Sequence, residues 1–193
     1  LFITPSAYPA DLSDRLTVDR YLSWEDITDA QLSPDGRQII YSRRWVDPVN
    51  DGWDNSLWII NSDGKRNRFL VDGSSPRWSP DGARIAFLAE GKTGGTQIFV
   101  RWMDAEGATS QISRLNKSPS NILWSPDGKT IGFQMVVPPD KNGDWNISMP
   151  ASPDGSNWTD ESTIIERLNY RRDRIGYHPK GFRHISVSYT HLR

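Results

Sequence analysis

Apolar and polar positions alternate in short bursts along this chain, and the bursts recur. Three residues beyond Gly36, Gly82 and Gly128 stand Ile39, Ile85 and Ile131, and five residues beyond stand Tyr41, Phe87 and Phe133. Spacing of two residues puts isoleucine and aromatic on one face of a β-strand, with Ile40, Ala86 and Gly132 on the other, so both faces are expected to be at least partly covered. A short apolar strand ending in Leu32, Trp78 or Trp124 precedes each burst. Between the two lies Ser-Pro-Asp-Gly, beginning at Ser33, Ser79 and Ser125, forty-six residues apart both times. Proline presets φ for the second turn position, aspartate bonds the local backbone, and glycine takes the left-handed conformation that re-enters a twisted hairpin.

Units of roughly 40 to 50 residues, each holding several short strands, are the sequence signature of a β-propeller blade. The expected fold class is all-β, a partial β-propeller of about three to four blades, each a three- or four-stranded antiparallel sheet. Residues 1–29 form a lead-in in which Ser23 or Asp26 caps a short helical turn. The propeller is expected over 30–185. Blade one carries strands at Gln38 to Arg43, Leu57 to Ile60 and Arg68 to Val71, and blade two at Ile85 to Leu88, Gln97 to Trp102 and Gln111-Ile112. Blade three opens through Ile131 and Phe133 and is then broken by a polar insertion near 138–162. A fourth Ser-Pro-Asp-Gly at Ser152 has Trp158 and Asp160 where the repeat needs isoleucine and aromatic, so it reads as a loop turn. His184-Ile185 reads as the start of another strand, and residues 186–193 read as a truncation or read-through tail.

Composition narrows the function classes. With 23 basic and 24 acidic side chains the formal charge is −1, which recruits neither nucleic acid nor an anionic membrane. The absence of cysteine removes thiolate chemistry and cysteine-ligated zinc. The nine tryptophans suit packing between blades. The opening Leu1 to Ala10 fits the tail of a secretory signal, which tilts the expected location toward periplasmic or secreted rather than cytoplasmic. No Gly-x-Ser-x-Gly elbow occurs, and glycines four apart bracket Thr93 and Thr130 instead. His178, His184 and His191 have no metal-ligand spacing, and the acidic loop at Asp47, Asp51 and Asp54 fails a calcium template because Val49 and Trp58 fill ligand positions. No catalytic residue, metal ligand or cofactor site is therefore assigned. The run Arg167 to Tyr177 is dense in arginine and tyrosine. Arg171, Arg172 and Tyr177 are the candidate substrate-facing residues, since guanidinium groups seat carboxylates.

Taken together, the repeated Ser-Pro-Asp-Gly turns, the strands Leu57-Trp58-Ile59-Ile60 and Gln97-Ile98-Phe99-Val100, the lead-in at Tyr21 to Asp26 and the Tyr170 to Tyr177 segment resemble the prolyl oligopeptidase family of serine peptidases. The likeness is greatest to its acylaminoacyl-peptidase and dipeptidyl-peptidase-like members, and it covers about residues 17 to 185. It implies a seven- or eight-bladed propeller that filters peptides by size for an α/β-hydrolase domain in cis carrying Ser, Asp and His, none of which can be placed here. Arg174 stands where the family pattern has glycine. The implied partners are peptide substrates and that hydrolase domain, with a homo-oligomer as a further expectation. A TolB-like, non-enzymatic propeller acting as a protein-binding scaffold is the alternative.

Overall fold

The structure is a computed structural model and describes residues 16–92, 94–104, 107–138, 150–159, 165, 168–173, 176–178 and 181–189. Residues 1–15, Arg174 and His191 lie outside these. Strands dominate, with one short helix, α1 (Val18–Leu22). Thr17 caps it by accepting the Arg20 N–H at 3.2 Å. Ser23, one of the two expected caps, closes the C-terminal end, whereas Asp26 is already in strand β1.

Three sheets follow, each built from strands in near-sequential order. The first is β1 (Glu25–Leu32), β2 (Gln38–Asp47), β3 (Gly52–Asn61) and β4 (Arg68–Asp72); the second is β5 (Ser74–Trp78), β6 (Arg84–Glu90), β7 (Thr96–Trp102) and β8 (Thr109–Gln111). The third pairs β9 (Ser120–Trp124) with β10 (Thr130–Val137), and β10 in turn with β13 (Phe182–Tyr189). All these pairings are antiparallel. The chain thus forms a partial β-propeller of three blades. The first blade begins at Glu25, ahead of the expected Ala30, and β13 runs to Tyr189, past the expected end at Ile185. Because β13 returns to β10, the segment from Pro138 to Gly181 is an insertion inside blade three. Within it the fourth Ser-Pro-Asp-Gly makes only a turn, with Ser156 N–H donating to Pro153 C=O at 3.0 Å and irregular backbone rather than a strand over residues 156–159.

The three repeated turns are built alike. The serine hydroxyl donates to the aspartate at 2.6, 2.5 and 2.5 Å, for Ser33–Asp35, Ser79–Asp81 and Ser125–Asp127. Each hydroxyl also accepts the N–H of the residue five further on, from Gln38, Arg84 and Thr130, at 2.9 to 3.0 Å. The same aspartates accept N–H bonds from Arg37, Ala83 and Lys129, and the glycines sit at φ +72°, +69° and +67°. Only glycine takes that conformation without a steric penalty.

Burial follows the alternation. Ile85 and Phe87 point back into a core with Ile40, Leu57 and Ile59, while Ala86 and Leu88 point forward into a second core with Ile122, Trp124, Ile131 and Phe133. Blade two is therefore covered on both faces. Its seams are joined by recurring contacts. Trp78 donates its indole N–H to Gln31 C=O at 3.3 Å and Trp124 donates to Arg77 C=O at 2.9 Å, one repeat later. The Pro34 ring lies against Gly82 and the Pro80 ring against Gly128. Arg77 pairs with Asp29 at 2.7 Å across the first seam, and Arg84 reaches Gly128 C=O at 3.0 Å across the second.

Burial differs between equivalent positions where the series of blades stops. Ile39 is only half-buried, unlike Ile85 and Ile131, because its face of blade one, with Leu32 60% exposed, has no sheet against it among the described residues. Trp78 and Trp124 lie in the seams between blades, as expected of the tryptophans. The open faces are that side of blade one, with Ile27 and Phe69, and the far side of blade three, with Leu123, Ile185 and Val187.

Three predictions follow from this packing. Trp124→Phe should lower the unfolding free energy by about 1 kcal/mol, the net value of a neutral hydrogen bond, and Trp124→Ala by about 3–5 kcal/mol, both read by denaturant titration. The serine hydroxyls, ahead of the backbone N–H bonds, hold Asp35, Asp81 and Asp127 below the ordinary value of 3.8. Their contribution is complete above that value and is lost as pH falls through the depressed folded value. In Ser125→Ala, the carboxyl titration of Asp127 followed by NMR should move back up toward 3.8. The open apolar faces should make the isolated chain self-associate and bind a hydrophobic dye. Size-exclusion chromatography with light scattering checks this, and a monodisperse monomer that binds no dye would contradict it.

Candidate functional site

The candidate residues Arg171, Arg172 and Tyr177 fall on a small ribbon within the blade-three insertion, made of β11 (Arg171–Arg172) and β12 (Gly176–Tyr177). Arg171 pairs with Tyr177 and Arg172 with Gly176, and the His178 N–H donates to Tyr170 C=O at 2.8 Å, closing the ribbon. Gly176 at φ +79° supplies the left-handed residue as the chain turns back. Tyr170 and Tyr177 stack with ring centroids 6.1 Å apart and planes at 30°, and the Arg171 guanidinium lies 6.0 Å from the Tyr177 ring centre. Both tyrosines and both arginines are exposed.

The ribbon therefore brings Arg171 and Tyr177 together and separates Arg172, whose side chain follows Arg171 along a strand and so takes the opposite face. A solvent-facing guanidinium on a stacked phenol pair can bind a carboxylate or stack on an aromatic side chain. It offers no nucleophile and no general base. Among the described residues, no three His, Cys, Asp or Glu side chains are grouped to hold a metal ion, and no helix is long and apolar enough to cross a membrane.

Two adjoining open cavities of about 400 Å³ lie at blade two and share Gly95 and Thr96. One is walled by Asn116, Lys117 and Ser118, the other by Trp53, Asp54, Asp72 and Glu90 along the seam with blade one. The loop that walls the first is anchored by buried Gln97, which accepts the Ser113 hydroxyl and the Leu115 N–H and donates to Leu115 C=O.

A further repeated feature escaped the sequence reading. Asp29, Ser75 and Asn121 sit at φ +54°, +54° and +49°, at the bulges that shift register in β1, β5 and β9. Each costs roughly 1 kcal/mol in a residue other than glycine. The residue before each carries a hydroxyl: Thr28, Ser74 and Ser120. Their own forty-six-residue spacing is the signal that would have found them; the prominence of Ser-Pro-Asp-Gly four residues later concealed it.

No protein-family model matches the chain. It is 29% identical over 121 residues to the uncharacterized peptidase YuxL of Bacillus subtilis, covering 60% of this chain and 18% of that protein. It is 32% identical over 127 residues to dipeptidyl-peptidase 5 of Porphyromonas endodontalis, covering 63% of this chain and 18% of that protein. The chain thus spans under a fifth of the length of these curated relatives. In fold it is similar to the Pyrococcus horikoshii acylaminoacyl peptidase, with a TM-score of 0.55 and 19% identity over 69% of this chain and 20% of that one. Over about two thirds of its length the chain is therefore a β-propeller portion similar to peptidases, bearing out the resemblance to the prolyl oligopeptidase family seen in its repeated turns.

Proposed function

We propose that this chain is the gating, substrate-filtering propeller portion of a serine peptidase that hydrolyses peptides, working with an α/β-hydrolase domain in cis. The observation that carries the reading is the similarity to two peptidases over the blades themselves. The physics of the blades supports it: rigid sheets sealed by apolar seams would frame a fixed aperture once a ring of them closes, and size exclusion needs such an aperture rather than a reactive group. In this reading the exposed ribbon bearing Arg171 and Tyr177, carried on an insertion within the blade, contacts peptide or hydrolase domain. Loops that leave a rigid scaffold commonly carry this work.

The chemistry of hydrolysis is assigned to the hydrolase domain, since the blades described here hold no nucleophile, base and oxyanion-hole constellation. A serine-reactive fluorophosphonate probe should leave this chain unlabelled, and the chain should cleave no peptide or ester above background. The same probe should label a longer protein that joins these blades to a hydrolase domain. Specific labelling of any serine within these 193 residues would overturn the division of labour.

A further inference from the structure

The two cavities at blade two differ in charge, and they meet at Gly95 and Thr96, where the loop after β6 leads into β7. Along the seam with blade one the wall carries three carboxylates, Asp54, Asp72 and Glu90, beside the ring of Trp53. In the adjoining cavity the wall carries Lys117 and Gln97. Three anions thus stand in one half of a joined cleft and a cation in the other.

The chain itself satisfies none of these four charges. Elsewhere on blade one the carboxylates find guanidinium partners: Glu25 pairs with Arg43, Asp26 with Arg44 and Asp29 with Arg77. Arg44 lies against Trp53, 4.4 Å from the ring centre, yet its ion pair is with Asp26. Among the described residues Asp54, Asp72, Glu90 and Lys117 make no ion pair and no side-chain hydrogen bond. The cationic half holds a further unused donor. Gln97 is buried, its oxygen accepts from Ser113 and Leu115, and its amide nitrogen carries two hydrogens, of which Leu115 C=O takes one at 2.8 Å. The other has no acceptor among the described residues. A buried donor in that state is costly, and a ligand that brings an acceptor into the cavity relieves it.

We propose that the joined cleft binds a short peptide by both of its free ends, with the ammonium among Asp54, Asp72 and Glu90 and the carboxylate at Lys117 and the Gln97 amide. The charge pattern by itself asks for a zwitterion, and the choice of a peptide rests on the peptide reading above. Opposite charges held apart by open space favour a molecule that carries both at a matching separation, and a molecule with one end blocked loses half of that match. The separation also argues for a peptide over a single amino acid. An extended chain advances about 3.3–3.6 Å per residue, so ends lodged in two adjoining cavities of about 400 Å³ each lie roughly three to five residues apart. The contacts are to the two ends, so side chains in between are not selected.

Equilibrium dialysis of the full chain against radiolabelled tetraglycine tests this, since dialysis reads bound ligand whatever the state of association of the chain. Saturable binding is expected, with N-acetyl-tetraglycine and tetraglycine amide each about tenfold weaker as competitors, the scale of one charge-assisted hydrogen bond. In Asp54→Asn/Asp72→Asn/Glu90→Gln the free and acetylated peptides should compete equally while amidation keeps its penalty. In Lys117→Gln the free and amidated peptides should compete equally while acetylation keeps its penalty. All four positions are exposed and outside both cores, and the penalty retained in each variant shows that the cleft is still folded. Free glycine competing as well as tetraglycine would assign the charges to single amino acids and overturn the peptide as occupant. Competition indifferent to blocking of either end, penalties unchanged in both variants, or no saturable binding would overturn the cleft as a site. The filtering reading would survive each of these results, since it stands or falls on the serine-reactive probe.

Discussion

Each blade is a sheet apolar on both faces, and a sheet with two apolar faces is stable only between two others. That constraint governs the rest of the structure. Ile85 and Phe87 face one neighbour while Ala86 and Leu88, one residue out of phase, face the other. Contact alone would let neighbouring sheets slide. The indoles of Trp78 and Trp124 prevent this by bonding the backbone of the preceding blade, at equivalent carbonyls one repeat apart. The proline-on-glycine packing of successive turns sets the same register. Where the series stops among the described residues, at Leu32 and Ile39 on one side and at Ile185 and Val187 on the other, apolar surface meets water.

The turn and the seam depend on each other. In each repeat a serine hydroxyl, an aspartate and a left-handed glycine fix the direction in which the second strand leaves the first. That direction places the tryptophan, the last residue before the turn, against the previous blade. Arg84 ties turn and seam together in the second join, reaching Gly128 C=O while its guanidinium lies 5.0 Å from the Trp124 ring centre. A scaffold so constrained can carry a long insertion within blade three without disturbing β10, which pairs with β13 along its whole length despite the intervening segment.

The blades are sealed at their seams by apolar contact and indole hydrogen bonds, and an exposed Arg171–Tyr177 ribbon stands on the insertion within blade three. Over about 60% of its length the chain is similar in sequence to two peptidases.

The sequence by itself determined the repeat, the ends of the strands that precede each turn, and the turns. Proline, aspartate and glycine act through their own backbone, and the two-residue alternation acts through the nearest neighbours, so both are visible without knowing what packs where. The strands that end at Leu32, Trp78 and Trp124 do end there, and the alternation after each turn marks real faces. Tertiary structure decided the matters that depend on which blade stands next to which. Ile39, Ile85 and Ile131 are equivalent in sequence, yet only the latter two are buried, because only they have a preceding sheet against them. The pairing of β13 with β10 across the insertion likewise joins residues far apart in the chain, and local pattern carries little information about such contacts.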